Sequence, residues 1–290
     1  MKRIGIWGLI LVLLLGLCAC NSTKQTEKPK PTRKPLEPYL EDETDMLTHD
    51  TVRVTLREGL TVPEMAAVLE ANNVCSAADF IAAVQTVDYD YDFLKDLPDD
   101  EHRAYRLEGY LFPDTYEFYV ESRAATVVNR LLQNFQKRTT DLLPQIETMG
   151  WTMDEAVIFA SMIQGEADTT DNMAKVSRVL HNRLTPNSGF LKLQLCSTRD
   201  YVNHLPQDAD FDLEALKQVY NTYYRDGLPV GAINNPGLDA LKAALNPSED
   251  ATIKQCYYFA TDYKTGITYF SKNYKEHQAV IKKFGITDIG

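Results

Sequence analysis

Runs of alternating or helically spaced apolar residues predict a mixture of strands and helices along the chain. The stretch TVRVTL, residues 51–56, alternates polar with apolar residues and predicts a strand. TVPEMAAVLEANNV follows and predicts a helix, with Thr61 as its N-cap and Pro63 in its first turn. SAADFIAAVQT predicts a second helix, which begins after Ser76. One strand and two helices make a small N-terminal α/β module, which we assign to residues 49–100.

The pattern after residue 100 predicts a larger mixed domain over residues 101–290. ATVVNRLLQNFQKRT and NMAKVSRVLHNRL each have one apolar face and predict amphipathic helices. A further helix is predicted from about Leu238 to Leu245, and CYYFATDYKTGITYFS predicts a hairpin around a Lys-Thr-Gly turn. The predicted fold class is therefore α+β, although the pattern does not say which strands pair.

The stretch MDEAVIFASMIQGEAD, residues 153–168, predicts a helix that is apolar on nearly every side. Phe159, Met162 and Ile163 lie seven, four and three residues before Glu166, so the carboxylate shares a face with large apolar side chains. Desolvation on such a face would raise the pKa of Glu166 and keep it protonated near neutral pH, as a general acid requires.

Two other interpretations of Glu166 remain open from this helix alone. The glutamate could pair with an Arg or Lys elsewhere in the fold, or it could be exposed at the helix end. Glu155 on the same face needs no special role, because Thr152 and Glu155 have the spacing of a capping box.

The N-terminus has the pattern of an export signal. Lys2 and Arg3 precede an apolar run of about 14 to 16 residues, which is short for a membrane span. The run ends in LCAC, which resembles a bacterial lipobox and predicts a signal peptide over residues 1–19 and lipidation of Cys20. The alternative is an uncleaved signal anchor. Both predict attachment to the cell membrane at the N-terminus, with the remaining chain outside the cytoplasm.

The composition and the short motifs of the remaining chain exclude several classes of function. Residues 20–48 are rich in Lys and Pro and predict a linker. The net charge of -11 would become -13 on loss of Lys2 and Arg3, which argues against a nucleic-acid partner. Beyond Cys20, the widely spaced Cys75, Cys196 and Cys256 give neither a disulfide framework nor a zinc motif. No nucleotide-binding or metalloprotease motif occurs, so we expect no cofactor and no metal.

Seven segments occur in the order and approximate spacing of one known family. They are LEGYLFPDTYEF, ASMIQGEA, VLHNRL, LQ at residues 193–194, YNTYYRDGLPVGAINNPG, LKAALNP and EHQ. Over about residues 52–284 the chain resembles the endolytic murein transglycosylase family, the YceG-like group of membrane-bound peptidoglycan lyases. YNTY followed by GLPVGAINNPG is the most specific match. The resemblance implies a LysM-like N-terminal module and a YceG-like catalytic domain.

The resemblance implies a catalytic role for Glu166, which falls on the second acidic position of the family's ASIIEKE-like motif. The first acidic position is Gln164 in this chain. Protonated Glu166 would donate to the glycosidic oxygen between MurNAc and GlcNAc. Its carboxylate would then take the proton of the MurNAc C6 hydroxyl, which attacks C1 and leaves a 1,6-anhydro end. An intramolecular nucleophile has a high effective molarity, so no second carboxylate is needed.

Other motif positions imply substrate contacts. The residues assigned to hydrogen bonds with the sugar or the transition state are Asn182, Gln194, Tyr220, Asn221, Thr222, Tyr223 and Asn235. For each, the alternative is a hydrogen bond within a turn or the core. Arg183 either orients Glu166 or forms a surface ion pair. The chain departs from the family at Cys196, where an aspartate is usual, and at Thr268, where a histidine often follows the hairpin turn.

Three functions are compatible with these residues. The first is a membrane-anchored lytic transglycosylase, whose partners would be peptidoglycan glycan strands and, by family analogy, the cell-wall elongation machinery. The second is a degenerate lipoprotein that binds peptidoglycan without cutting it, which the departures at Cys196 and Thr268 favour. The third is a hydrolase, which requires a second carboxylate about 5 to 9.5 Å from Glu166. Glu108 and Asp114 are its candidates.

Overall fold

The computed structural model describes residues 33–36, 50–206, 211–262 and 264–286. The predicted signal segment, the lipidation site Cys20 and most of the predicted linker lie outside these residues. Among the helices that are described, none is long and apolar enough to cross a membrane.

The elements predicted for the N-terminal module are confirmed. Strand β2 spans Thr51–Thr55, helix α1 spans Val62–Ala71 and helix α2 spans Ala77–Thr86. Thr61 and Glu64 form a capping box at the start of α1, and the Ser76 hydroxyl accepts the Asp79 N–H at the start of α2. A two-residue strand β1, Lys34–Pro35, pairs in parallel with β3, Val87–Asp88.

Strand β2 pairs with a strand that lies beyond residue 100, the predicted end of the N-terminal module. It pairs antiparallel with β4, Thr115–Tyr119, in a register that places Thr51 opposite Tyr119. Tyr116 and Phe118 face the core from β4, and Val54 faces it from β2. The module therefore shares its sheet with the segment that follows it, and the boundary itself stays a prediction.

Helices dominate the remaining chain. The predicted helices and the predicted hairpin are all confirmed, whereas α3, α5, α8, α9 and α11 lie in stretches where no helix was predicted. In order, the elements are α3 Asp92–Lys95, α4 Ala124–Thr139, a 3-10 turn Thr140–Leu142, α5 Leu143–Thr148, α6 Met153–Glu166, α7 Thr170–Leu184, α8 Cys196–His204, α9 Leu213–Tyr220, α10 Leu238–Leu245, β5 Tyr258–Asp262, β6 Ile267–Ser271 and α11 Tyr274–Phe284.

Helix α6 lies at the centre of the core and packs against α5, α7, α8 and α10. Its residues from Ala156 to Ile163 are buried. The aromatic motif LEGYLF also contributes to the core, because Leu107, Tyr110 and Leu111 are fully buried. This segment therefore packs inside the protein and does not present its aromatic side chains to solvent.

Candidate active site

Glu166 is the last residue of α6. The predicted capping box starts this helix, with the Thr152 N–H donating to Glu155 Oε2 at 2.8 Å. Ala167 then leaves the helix in extended backbone. Glu166 thus stands where the buried helix reaches the surface, and its side chain is partly exposed.

A buried ion pair fixes the other end of α6. Asp154, in the first turn, accepts hydrogen bonds from the Arg103 guanidinium and from the Tyr110 hydroxyl, the latter at 2.8 Å. Arg103 and Asp154 are both buried, so loss of either would leave an uncompensated charge. The start of α6 is therefore tied to the segment around the LEGYLF motif.

The N-terminus of α8 meets the carboxylate of Glu166. The backbone N–H of Ser197 donates to Glu166 Oε1 at 3.1 Å. Leu195, the N-cap residue of α8, has no side-chain acceptor, so Glu166 satisfies one of the N–H groups that a helix start leaves unpaired. Gly165 permits this approach, because a Cβ at that position would lie 2.8 Å from the Cβ of Ser197.

Burial raises the pKa of Glu166, because desolvation favours the neutral acid. Contacts with Ser197 and the positive charge of Arg183 oppose the rise, and the negative charge of Asp200 adds to it. A raised pKa retains the proton that a general acid must donate. After the proton has left, the Ser197 N–H and the positive end of α8 stabilise the carboxylate. The same site therefore suits an acid that becomes a base.

Arg183 is buried beneath the site, so its predicted alternative as a surface ion pair is wrong. Its Nε donates to the Tyr257 carbonyl at 2.7 Å, and its guanidinium also donates to the Leu193 carbonyl. The guanidinium lies over the ring of Phe190, 5.5 Å from its centroid. Burial lowers the pKa of Arg183 to about 10. Arg183 ties α7 to the hairpin and to the loop before α8, and its charge acts on Glu166.

Two of the predicted substrate residues, Gln194 and Tyr223, are accessible to solvent close to the start of α8. Gln194 is exposed and has a φ of 52°, a backbone conformation that side chains rarely adopt. Its backbone N–H donates to the Thr222 carbonyl at 3.1 Å, which fixes the loop. Tyr223 is half-buried, and its hydroxyl lies 3.6 Å from Sγ of Cys196, the residue before Ser197.

Three other predicted substrate residues are fully buried and make hydrogen bonds within the framework. Thr222 accepts the Leu195 N–H at 2.9 Å and pairs with the Thr198 hydroxyl. Tyr220 accepts the Ala104 N–H at 3.2 Å. The side-chain Oδ1 of Asn235 accepts two backbone N–H groups, while its side-chain amide donates to the Leu60 carbonyl and to Glu108. These bonds use the whole hydrogen-bonding capacity of the Asn235 side chain.

The remaining two predicted substrate residues have mixed positions. Asn182 is half-buried and donates to the carbonyls of Lys254 and Cys256 at 3.1 and 2.8 Å. Asn221 is buried, and its side-chain oxygen accepts the Tyr223 N–H at 2.9 Å, which forms a tight turn. Asn182 thus holds the segment before the hairpin by hydrogen bonds, while Asn221 orients Tyr223.

Neither carboxylate considered for hydrolysis is free in this structure. Glu108 is 1% exposed and bonded to three groups inside the protein. Asp114 accepts hydrogen bonds from Asn134 and Arg138 on α4, at 3.1 and 2.6 Å. Among the described residues, no group of three or more His, Cys, Asp or Glu side chains is placed to hold a metal ion.

Comparison with known proteins decides the family. The model of the YceG-like family matches residues 37–283, which is most of the chain. The chain belongs to the YceG-like family. A YceG-like protein from Listeria monocytogenes has a similar solved structure, with a TM-score of 0.65 and 25% identity, covering 79% of this chain and 75% of that one.

Curated relatives are longer than this YceG-like chain. The endolytic murein transglycosylase of Streptococcus pneumoniae serotype 2 (strain D39 / NCTC 7466) is 25% identical over 241 residues, which are 77% of this chain and 43% of that protein. The endolytic murein transglycosylase of Bacillus subtilis (strain 168) is 25% identical over 259 residues, 86% of this chain and 69% of that protein. The chain thus spans less than half the length of the pneumococcal relative.

The two departures from the family pattern occupy different places. Cys196 is the first residue of α8, directly before Ser197, whose N–H donates to Glu166, and its Sγ lies 3.6 Å from the Tyr223 hydroxyl. Burial raises the pKa of the Cys196 thiol, and the charge of Glu166 adds to the rise. Thr268 lies in the hairpin, where its hydroxyl pairs with that of Thr261 at 3.0 Å.

Sequence reasoning missed three residues around Glu166, namely Gly165, Ser197 and Asp200. Ser197 and Asp200 have the Ser-x-x-Asp spacing of a capping box, which would have indicated a helix start close to the one observed. Asp200 lies one turn beyond Cys196 on α8 and pairs with Arg199 at 2.9 Å. Gly165 is the neighbour of Glu166 on α6, whereas only the packing of α8 on α6 brings Ser197 and Asp200 to Glu166.

Proposed function

We propose that this YceG-like protein is an endolytic murein transglycosylase that cuts the bond between MurNAc and GlcNAc inside peptidoglycan glycan strands. The observation that carries the proposal is the partly exposed carboxyl group of Glu166, with a raised pKa, at the N-terminus of α8. The similarity to proteins named endolytic murein transglycosylase supports the same substrate class.

The proposed reaction uses one carboxyl group twice. Protonated Glu166 donates its proton to the glycosidic oxygen, and the bond from that oxygen to C1 of MurNAc breaks. The C6 hydroxyl of the same sugar attacks C1, and the Glu166 carboxylate removes its proton. The products are a 1,6-anhydroMurNAc end and a free GlcNAc hydroxyl, with the enzyme's proton restored and no water consumed.

The protein supplies groups for each stage of this reaction. Desolvation retains the proton on Glu166 before the bond breaks, and the Ser197 N–H stabilises the carboxylate afterwards. Gln194 and Tyr223 are proposed to bind the sugar, because their side chains are accessible beside α8. Contacts of Asn182 and Asn221 with the sugar stay predictions. Tyr220, Thr222 and Asn235 are assigned to the framework.

The test is mass spectrometry of purified glycan strands after incubation with the detergent-solubilised chain. We expect anhydroMurNAc ends from the wild type and from Asp168→Asn, an exposed acid two residues away that serves as the matched control. Glu166→Gln should give none. Reducing ends would identify a hydrolase instead, and binding of strands without cleavage by the wild type would identify a degenerate binding protein.

Membrane attachment is a separate part of the proposal. We propose that lipidation of Cys20, or an uncleaved signal anchor, holds the catalytic domain outside the cytoplasm near newly made strands and the elongation machinery. Metabolic labelling with an alkyne fatty acid distinguishes the two forms of attachment. A label that disappears in Cys20→Ala supports the lipoprotein, whereas an unlabelled chain that stays in the membrane fraction supports the signal anchor.

A further inference from the structure

Glu108 is a buried carboxyl group that joins three separate parts of the fold. Its Oε1 accepts the Val62 N–H at 3.0 Å and the Asn235 side-chain amide at 2.8 Å. Its Oε2 accepts the Val62 N–H at 3.1 Å and the Tyr201 hydroxyl at 3.3 Å. The partners belong to the start of α1, the loop before α10 and the middle of α8. A buried carboxyl group that satisfies donors from three elements fixes their relative positions.

Two of these partners, Tyr201 and Asn235, are connected to the helices that meet at Glu166. Tyr201 lies on α8, one turn beyond Ser197, whose N–H donates to Glu166. Asn235 follows Asn234, whose side-chain amide donates to the Ser161 carbonyl on α6 at 2.8 Å. Glu108 is thus linked by short paths to both helices that meet at Glu166.

We propose that Glu108 is a positioning residue, which holds α8 against α6 through Tyr201 and Asn235 and so fixes Ser197 at the carboxylate of Glu166. This inference rests on the proposed function only for its catalytic consequence. Glu108 is too deeply buried to touch a glycan, so it acts through other residues. It also gives a reason for the internal position of Asn235, which was first assigned to the substrate.

The protonation state of Glu108 decides which group donates in its hydrogen bond with Tyr201. Its contacts in the described part of the chain are neutral donors, and the negative charge of Glu64 on α1 also acts on it. Tyr201 and Tyr220, from α8 and α9, are the other titratable groups that face it. Burial raises the pKa of Glu108 to about 8. The neutral form predominates below that pH, and its hydroxyl can donate only to the Tyr201 oxygen.

Two substitutions separate the contact from the charge. Tyr201→Phe removes the hydroxyl that ties α8 to Glu108 and retains the ring. Glu108→Gln reproduces the neutral form, since its oxygen can accept the two N–H donors while its amide donates to Tyr201. Tyr116→Phe is the matched control, because this buried hydroxyl bonds to the Phe112 carbonyl at 2.6 Å in another part of the core.

The first measurement is hydrogen–deuterium exchange of the peptide covering residues 195–204, which requires no activity. We expect faster exchange in Tyr201→Phe than in the wild type and in Tyr116→Phe, because α8 loses its tie to Glu108. Equal exchange in all three proteins would overturn the inference. If the wild type cleaves no glycan, the proposed function fails while this measurement still decides the role of Glu108.

The second measurement is the rate of formation of anhydroMurNAc ends against pH. Tyr201→Phe should lower kcat by about tenfold and change KM by less than about twofold, because the acid is misplaced and the sugar contacts are not. Glu108→Gln should retain kcat below pH 7, where Glu108 is neutral, because its side-chain amide can make the same hydrogen bonds. Unchanged kcat in Tyr201→Phe, or a loss of kcat in Glu108→Gln below pH 7, would contradict the assignment.

Discussion

Gly165 is a point of close contact between α6 and α8, next to the candidate acid. A methyl group there would place its carbon 2.8 Å from the Cβ of Ser197 and 3.6 Å from the side-chain nitrogen of Asn234. The Cβ of Ser197 is fixed to the backbone of α8 and cannot rotate away. Gly165→Ala therefore forces the start of α8 to move relative to Glu166.

The size of this movement follows from the contact distances. Carbon atoms pack at about 3.5 Å or more, so the contact must open by roughly 0.7 Å. The 3.1 Å bond from Ser197 to Glu166 would then lengthen to roughly 3.8 Å, beyond hydrogen-bonding distance. Overpacking costs about 1–3 kcal/mol, and the better helix propensity of alanine returns up to about 1 kcal/mol. A displacement approaching 1 Å in a catalytic group lowers kcat by about 10²-fold.

We therefore expect Gly165→Ala to lose activity far more than stability. Rates of anhydroMurNAc formation measure the first, and urea denaturation measures the second. The double variant Gly165→Ala, Ser197→Gly removes the opposing Cβ and keeps the donating N–H, so it should recover most of kcat. Ser197→Gly alone is its control. Wild-type kcat in Gly165→Ala would refute the need for this helix contact, and a double variant without recovery would refute the steric explanation.

Further predictions concern the charges around the site. A general acid works while protonated, so any charge that lowers the pKa of Glu166 moves the alkaline decline of kcat/KM to lower pH. Asp200→Asn removes a negative charge that raises this pKa, and the decline should move down by up to about one pH unit, whereas Cys196→Asp should move it up. Shifts of both variants in the same direction would contradict the charge argument. Arg183→Lys retains the charge but not the planar donors to two backbone carbonyls, and the free energy of unfolding in urea should fall by about 1–3 kcal/mol. Stability equal to the wild type would show that those bonds contribute nothing.

The sequence predicted correctly those helices in which apolar residues recur at the spacing of a helical turn. In α6, the spacing of Phe159, Met162 and Ile163 placed Glu166 on an apolar face, and the structure confirms the helix. Desolvation in this structure raises the pKa of Glu166, in the predicted direction. The capping box at Thr152 and the amphipathic helices α4 and α7 were predicted for the same reason, since local side chains determine where these helices begin and which face is buried.

The sequence did not predict which loop residues are buried, nor did it predict helix α8. Buried and exposed residues do not alternate regularly in loops. Nothing in YNTY or GAINNPG therefore indicates that Thr222 and Asn235 are buried while Tyr223 remains accessible. Helix α8 begins after Leu195, which offers no capping side chain, and the Ser197 N–H in its first turn is satisfied by Glu166 from another helix. Such a start depends on tertiary contacts and leaves only the weak Ser-x-x-Asp signal in the sequence.

This difference between α6 and α8 has a consequence for function. The helix that carries Glu166 is determined by its own cap, by its apolar faces and by the buried pair of Arg103 with Asp154. Its partner α8 is positioned by tertiary hydrogen bonds, among them those of Thr198 and Tyr201. Substitutions that weaken the position of α8 leave the acid in place but remove the N–H that stabilises its carboxylate. Their main effect should therefore fall on kcat, with smaller effects on stability and on substrate affinity.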